Sequence, residues 1–448
     1  MRFLIIGGSD AGISAALRAR QLDDAADVTL LLKDDYPNYS ICGLPFLVSG
    51  ETPEPSMLAH RTRAELLAAG IRIRTGTTAT RIDPQARTVT TVNPAGHEDI
   101  LEYDACLVAT GAESLRPPIE GLHLPGVFTM RWMEDGLAIR EFIEKREPRS
   151  AVIVGSGYIG LEMADALTRR GIKVFLAGRS PSVLKTVDED MGSLIAQELV
   201  RHGVSIFSGV AVESIQQEGS GLLVLGRGVE AYGDMVLVAT GATPSTDLAQ
   251  GAGASLGAGK AIAVNQRMET GVPGLYAAGD CVETYHRLLG KTVYLPLGTT
   301  AHKQGRIAGE NAVGGDAHYA GTLGTQAVKV FDLVIARTGL NDHDATLHSV
   351  PARSVDVECT DHKAYYPGAT PMHVRITGNP QTGALLGAQI VGSRRAEVAK
   401  RVDICAAAIH AGQRVDELIA MDLSYTPPLS SPWDPVQVAA QAWCDKLS

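Results

Sequence analysis

The chain has 448 residues, 45% of them hydrophobic and 20% charged, with a formal net charge of −10. That is too long for one ordinary domain, and the composition is that of a globular protein with an ample core. An acidic balance without a basic block argues against nucleic acid as a main partner, and no apolar run approaches the ~18 residues of a membrane-spanning helix.

From the start, residues 3–6 predict a short buried strand running directly into a glycine turn, G-G-S-D-A-G at 7–12. No room is left there for a leader peptide, so the chain reads as cytoplasmic and its six cysteines as thiols. Their spacing with the histidines fits no metal site. A helix to about Arg20 and a strand at 28–32 complete a β-α-β unit. The plan recurs with a strand at 152–154, the turn G-S-G-Y-I-G at 155–160, a helix at 161–170 and a strand at 173–176. Such a junction lets backbone approach a pyrophosphate, which then meets free N–H groups and the positive dipole end of the helix. Gly155, Gly157 and Gly160, with Tyr158 and Ile159 inside the turn, fit G-x-G-x-x-G fully. In the first copy Gly7 and Gly12 fit, and the small residue Ser9 stands at the second glycine. One such match alone is weak; two in the right context predict two dinucleotide sites.

The strand ends depart from the usual pattern, in which an acid closes the second strand and binds the ribose hydroxyls. The first copy has Leu32 and Lys33 there, with Asp34 and Asp35 just beyond; Asp34 is the candidate, from a shifted position. The second copy reads A-G-R-S at 177–180, with no carboxylate. Arg179 suits a ribose 2′-phosphate, so NADPH is expected over NADH; the alternative is an arginine that is merely exposed.

Residues 106–111 and 236–241 share L-V-A-T-G, each a buried strand ending in a tight turn, at Thr110 and Gly111 and at Gly241. Proline-bearing joints follow at 116–118 and 243–244, and another apolar strand at 275–278 ends in Gly279 and Asp280. Beyond about residue 320 no glycine turn recurs. Strand-like runs at 327–335, 372–376 and 384–391 and a helix-like stretch at 396–410 predict an α+β domain. The expected architecture is α/β. Two Rossmann-like dinucleotide-binding domains, 1–112 with 244–318 and an inserted 113–243, precede a C-terminal α+β domain at 319–448.

With A-A-G-D at 277–280, the chain resembles the pyridine nucleotide–disulfide oxidoreductase superfamily over essentially its whole length. The resemblance implies FAD in the first domain, with Asp280 on its ribityl chain. It implies NAD(P)H in the second, with Tyr158 and Glu162 beside the nicotinamide, and a third domain that forms a homodimer. Lys303 and Asn311 match the superfamily's flavin-side helix less specifically.

Cys42, in Y-S-I-C-G-L-P at 39–45, selects the branch. Dithiol reductases such as glutathione reductase carry C-x-x-x-x-C here, whereas position 47 is Leu. A lone cysteine before G-L-P resembles the coenzyme A disulfide reductases and the related NADH oxidases, peroxidases and persulfide reductases. A cysteine at a helix start facing a flavin is a good thiolate that attacks a disulfide or persulfide and holds a mixed disulfide; the alternative is a packing thiol. The segments Y-Y-P-G at 365–368 and Y-T-P-P at 425–428 resemble the branch's tyrosine-bearing segments. This implies that Tyr425 and one of Tyr365 and Tyr366 reach the partner subunit and donate a proton to the leaving thiolate; aromatic packing is the alternative, weightiest for Tyr365 and Tyr366.

Two departures bear on the substrate. Ile41 precedes the cysteine where coenzyme A enzymes often have Asn, and Gln21 stands where an arginine is often found, leaving Arg18 and Arg20 for coenzyme A phosphates. A smaller or more apolar sulfur substrate is therefore expected. Cys106 in a strand, Cys405 in a helix, Cys281 in packing and Cys359 in a polar loop read as inert, Cys444 is a candidate resolving thiol, and His302 stands out among the histidines. The expected function is FAD-dependent, NAD(P)H-driven reduction of a small disulfide, polysulfide or persulfide by a homodimer without a metal. The alternatives are an oxidase or peroxidase using a Cys42 sulfenic acid, and a flavin-bound redox sensor.

Overall fold

The computed structural model describes residues 1–446 and divides into two compact units. The first comprises Met1–Leu115, Arg131–Ala138 and Ala242–Thr322. Its centre is a parallel sheet ordered 275–277, 105–108, 2–6, 27–31, 71–74. Apolar runs such as Ala105–Val108 are buried on both faces, as parallel strands covered on both sides must be. Because side chains alternate along a strand, Phe3, Ile5, Val28 and Leu30 face the helices. Leu4, Ile6, Leu31 and Cys106 face the other side, where Ile82 and Val89 of an antiparallel sheet at 78–102 cover them.

Helices Asp10–Leu22 and Gly298–Ala312 cross closely in this unit. A Cβ on Gly305 or Gly309 would run into the carbonyl oxygen of Ala11 or Ala15, so only glycine permits the approach. Residues 243–244, expected as a joint, lie just past the boundary of the two units at Gly241 and Ala242, and pair in a short antiparallel ladder of Ala242–Pro244 with Ala112–Ser114.

The second unit comprises Arg116–Met130, Ile139–Gly241 and the chain from Leu323. It holds a second parallel sheet, ordered 205–208, 173–178, 150–154, 235–238, 127–129, and the helix Tyr158–Arg169. It also holds a five-stranded antiparallel sheet, ordered 326–330, 333–339, 385–393, 371–378, 353–360, with helices Val398–His410 and Pro435–Asp445. The run 327–335 proves to be a hairpin rather than one strand. Phe331, at φ +52°, makes the turn, and the apolar pattern continues straight through it. Cys359 lies in the edge strand Arg353–Thr360, opposite Met372, and not in a polar loop. An edge strand wets one face and an edge, so its composition hides it. No helix among the described residues is long and apolar enough to cross a membrane.

Candidate active site

The two glycine turns are superimposable in their reasons. Gly7 and Gly155 sit at φ +115° and +120°, where an L side chain is strained, and their missing Cβ atoms make room for the carbonyls of Ala109 and Ala239. Cβ atoms on Gly12 and Gly160 would run into the carbonyl oxygens of Gly7 and Gly155. Gly157 differs: a Cβ there would meet nothing within 4 Å, so the protein itself does not require the glycine. Space beside a helix start suits a ligand's close approach. The helices Asp10–Leu22 and Tyr158–Arg169 start at Ser9 and Gly157 with no side-chain capping bond, which leaves first-turn N–H groups for an anion.

Beside the first turn, Asn38 donates its N–H to the carbonyl of Gly8 (2.9 Å) and is 3% exposed. Its amide nitrogen, Nδ2, has no protein partner, and buried donors are ordinarily satisfied. A dinucleotide pyrophosphate fits these features. The strand end beside it is closed differently from the usual acid: Leu32 is buried, and its side chain fills the space a Cβ on Gly8 would need. Asp34 accepts the N–H of Tyr36 (3.0 Å), and Lys33 is exposed.

Asp280 is oriented from three sides. Its carboxylate pairs with Arg131, both side chains being largely shielded. Tyr294 donates its hydroxyl to the Asp280 carbonyl (3.0 Å), and the N–H of Gly279 goes to the fully buried Gln304 (3.0 Å). Sequence reasoning missed Arg131, a lone arginine 149 positions from its partner. The Thr110 hydroxyl donates to the Ser245 carbonyl (2.7 Å), and Gly111 and Gly241 make their turns at φ +66° and +133°. Asn311 is spent inside the protein, donating to Arg267 and Ala317 (2.9 and 2.8 Å), while Lys303 is exposed. His302 lies between the Ser14 hydroxyl (2.8 Å) and the Asp10 carboxylate (3.4 Å), and burial holds the Asp10 carboxyl above the ordinary range.

In the second unit Tyr158 accepts the hydroxyl of Thr186 (3.2 Å), and burial raises its phenol. Ile159 is half-buried in the same turn. Burial pushes the Glu162 carboxyl up to about 7, with Lys329 opposing and Asp165 adding to the rise. Between the ordinary 4.5 and about 7 the folded chain keeps a proton that the unfolded chain releases, so stability falls as pH rises through this window. At ~1.4 kcal/mol per pKa unit, Glu162 costs up to about 3 kcal/mol above pH 7. Glu162→Gln is therefore expected to raise the thermal midpoint at pH 8 and leave it nearly unchanged at pH 4; equal midpoints at both pH values would refute the assignment. At the end of Lys173–Gly178, a Cβ on Gly178 would press on the Ser156 side chain of the glycine turn, and Arg179 is exposed.

Cys42 is exposed, in a 3-10 turn at Ile41–Gly43 that leads into the helix Leu44–Ser49. That helix buries Leu44, Pro45, Leu47 and Val48, so a core leucine fills the place of a dithiol reductase's second cysteine. Cys106, Cys281 and Cys405 are fully buried, and burial raises all three thiols, Cys281 to about 11 and Cys405 to about 12. Burial also raises the partly covered Cys359 to about 11 and shifts Cys444 upward. Arg18 pairs with Glu310 (2.5 Å) and Arg20 donates to the carbonyls of Ala69 and Ala26, so both expected phosphate ligands are engaged within the protein. Tyr365, Tyr366 and Tyr425 are exposed, as are Leu429 and Trp433, and the neighbouring Tyr425 raises the Tyr365 phenol.

Residues 1–305 match the family described as pyridine nucleotide-disulphide oxidoreductase, and residues 325–435 match its dimerisation domain. The chain is 35% identical over 441 residues to the CoA-dependent NAD(P)H sulfur oxidoreductase of Pyrococcus furiosus, covering 98% of each. It is 34% identical over 452 residues to the NADH oxidase of Methanocaldococcus jannaschii, covering 100% of each. The crystal structure of an NAD-dependent persulfide reductase from A. fulgidus superposes with a TM-score of 0.96 at 36% identity, covering 100% of this chain and 83% of that one. The chain belongs to the pyridine nucleotide-disulphide oxidoreductase family, as an NAD(P)H-dependent flavoprotein oxidoreductase grouped with these sulfur reductases and NADH oxidases.

Proposed function

We propose that the protein reduces a low-molecular-weight disulfide, polysulfide or persulfide at Cys42, as a homodimer with FAD and NADPH. The observation that carries this reading is the exposed Cys42 in a chain whose Cys106, Cys281 and Cys405 are buried and whose position 47 is a core leucine. Three domains would divide the work: 1–112 with 244–318 for FAD, 113–243 for NADPH, and 319–448 for dimerisation.

FAD, when bound, supplies two-electron transfer from nicotinamide to sulfur. The helix start at Ser9 would hold its pyrophosphate and Asp280, braced by Arg131, its ribityl chain; Gly157 would leave room for the nicotinamide dinucleotide. The Cys42 thiolate attacks one sulfur of the substrate, forming a mixed disulfide and expelling the other sulfur as a thiolate. That thiolate takes a proton from the partner subunit's Tyr425, with Tyr365 or Tyr366 as its neighbour. Two electrons then cleave the mixed disulfide, restoring the Cys42 thiolate and releasing the second thiol. With a single cysteine, the substrate's own sulfur takes the part of the missing partner.

NADPH is favoured because Gly178 offers no ribose-binding acid at the strand end beside Ser156, and the exposed Arg179 follows it. Charge-assisted bonds of ~1.5–3 kcal/mol to a phosphate predict that Arg179→Ala lowers kcat/KM about 10- to 100-fold for NADPH. NADH should be little affected; an equal loss with both nucleotides would refute the preference.

The exposure of Cys42 also suits a second reading, oxidation to a sulfenic acid by peroxide or oxygen. Anaerobic reduction with NADPH, followed by coenzyme A disulfide, polysulfide and then peroxide, separates the readings through the flavin spectrum. Rapid reoxidation by a sulfur compound supports the reductase. Reoxidation only by peroxide or oxygen overturns it in favour of the oxidase or peroxidase, and reoxidation by none favours a flavin-bound sensor.

A further inference from the structure

The exposed tyrosines sit on two loops far apart in sequence, at 361–370 and 424–434. Each loop is closed at its own base. The Asp361 carboxylate accepts the N–H groups of His362 and Thr370 (3.0 and 2.8 Å), tying off the first. The Asp434 carboxylate accepts the Ser430 hydroxyl and the Val436 N–H (both 3.0 Å), tying off the second and capping the helix Pro435–Asp445.

Between the two bases lies Arg401, on the helix Val398–His410 and only 6% exposed. Its guanidinium donates to the carbonyl of Asp361 (2.7 Å) in the first loop. It also donates to the carbonyl of Leu429 (3.1 Å) and the carboxylate of Asp434 (3.1 Å) in the second, and to the carbonyl of Ala396. Above this junction the loops touch through the Lys363 N–H and the Pro427 carbonyl (3.3 Å), and Tyr425 lies close enough to Tyr365 to raise its phenol.

We infer that Arg401 is the positioning residue of the tyrosine pair: one buried guanidinium locks both loop bases together and so presents Tyr365 and Tyr425 as a single unit. The physical reason is the shape of the group. Arginine offers five donors in a rigid planar fork and reaches four acceptors at once, whereas a lysine ammonium has three donors at a single point. The tyrosines themselves are 74% and 44% exposed, so little packing around their rings holds them, and their location is set from the loop bases. Removing the fork leaves buried carbonyls and the Asp434 carboxylate without their donor.

The inference deepens the proposed function, because it gives those tyrosines a common support. Its test uses the full-length FAD-loaded enzyme and the variants Arg401→Lys and Arg401→Met. The lysine keeps a charge opposite Asp434, so it guards against a methionine variant that fails to fold. Hydrogen exchange followed by mass spectrometry should show faster amide exchange in both loops together, by about tenfold or more, with the two parallel sheets unchanged. Disulfide turnover should fall about 10- to 100-fold, as expected when a proton donor is misplaced, while KM for NADPH and the rate of flavin reduction stay the same. In a Tyr425→Phe background, Arg401→Lys should add little further loss. Faster exchange in only one loop, or exchange in Arg401→Lys equal to that of the parent, overturns the inference. Loosening of both loops with full disulfide turnover upholds the clamp and removes the tyrosines from the proposed chemistry.

Discussion

Cys42→Ser is expected to lower disulfide or persulfide reduction about 10³-fold or more while reduction of the flavin by NADPH proceeds at the parent rate; losses of this order follow removal of a covalent nucleophile. A serine hydroxyl neither ionises near neutrality nor forms a mixed disulfide, so the first bond-making step is lost. The alternative thiols do not substitute. Cys106, Cys281 and Cys405 are buried, and each has its thiol raised by that burial. Cys444 lies in the helix Pro435–Asp445, and Cys444→Ser should leave turnover unchanged. Stopped-flow measurement of the two half-reactions separates the effects. Full disulfide turnover by Cys42→Ser would refute the mechanism, and slowed flavin reduction would place the cysteine in the nicotinamide step instead.

The second large effect is on stability and concerns Arg375, which is buried in the antiparallel sheet among four carboxylates. It meets Asp188 at 2.8 Å and Asp356 at 2.6 Å, pairs with Asp190, and has Asp342 at 3.9 Å. Asp188 is itself 9% exposed and is held further by Gln389, which donates to its carboxylate (2.6 Å) and accepts its N–H (2.8 Å). Burial alone would lower the Arg375 pKa, but hydrogen bonds to Asp356 and Asp188 outweigh it and hold the guanidinium charged.

Arg375→Met leaves the buried Asp188 charge unpaired amid three like charges, and breaking a buried pair in this way costs about 3–5 kcal/mol. Adding Asp188→Asn should recover much of that loss, because the uncompensated charge is what destabilises. Trp443 reports locally: it is 1% exposed and donates its indole N–H to the Arg353 carbonyl (2.8 Å) at the edge of the same sheet. Denaturant unfolding followed by fluorescence is the measurement. A loss under about 1 kcal/mol would show the network to behave as a surface cluster.

Both glycine junctions were legible because the turn itself is local, although the carbonyls of Ala109 and Ala239 that Gly7 and Gly155 make room for come from distant strands. The positive φ of Gly7 and Gly155 and the contact of Gly12 and Gly160 with the turn's own first carbonyl lie within six residues of chain. The inner parallel strands were legible as continuous apolar runs, since both faces are covered, whereas the less covered edge strands at 71–74, 127–129 and 205–208 were not. The solitary state of Cys42 was legible as well, because Leu47 stands in the sequence where a second thiol would be.

Elements failed to show where periodicity does not mark them. The hairpin at Phe331 turns without glycine or proline, and the Cys359 strand is a polar edge. By itself, then, the sequence determined what short-range sterics and hydrophobic period dictate: the α/β class, the two glycine turns and the lone candidate thiol. Only the tertiary structure decided the charged supports. Arg131 on Asp280, Arg375 on Asp188 and Arg401 on Asp361 and Asp434 join partners 149, 187, 40 and 33 positions apart. A single arginine carries no period, and which acid or carbonyl it meets is set by how distant segments pack.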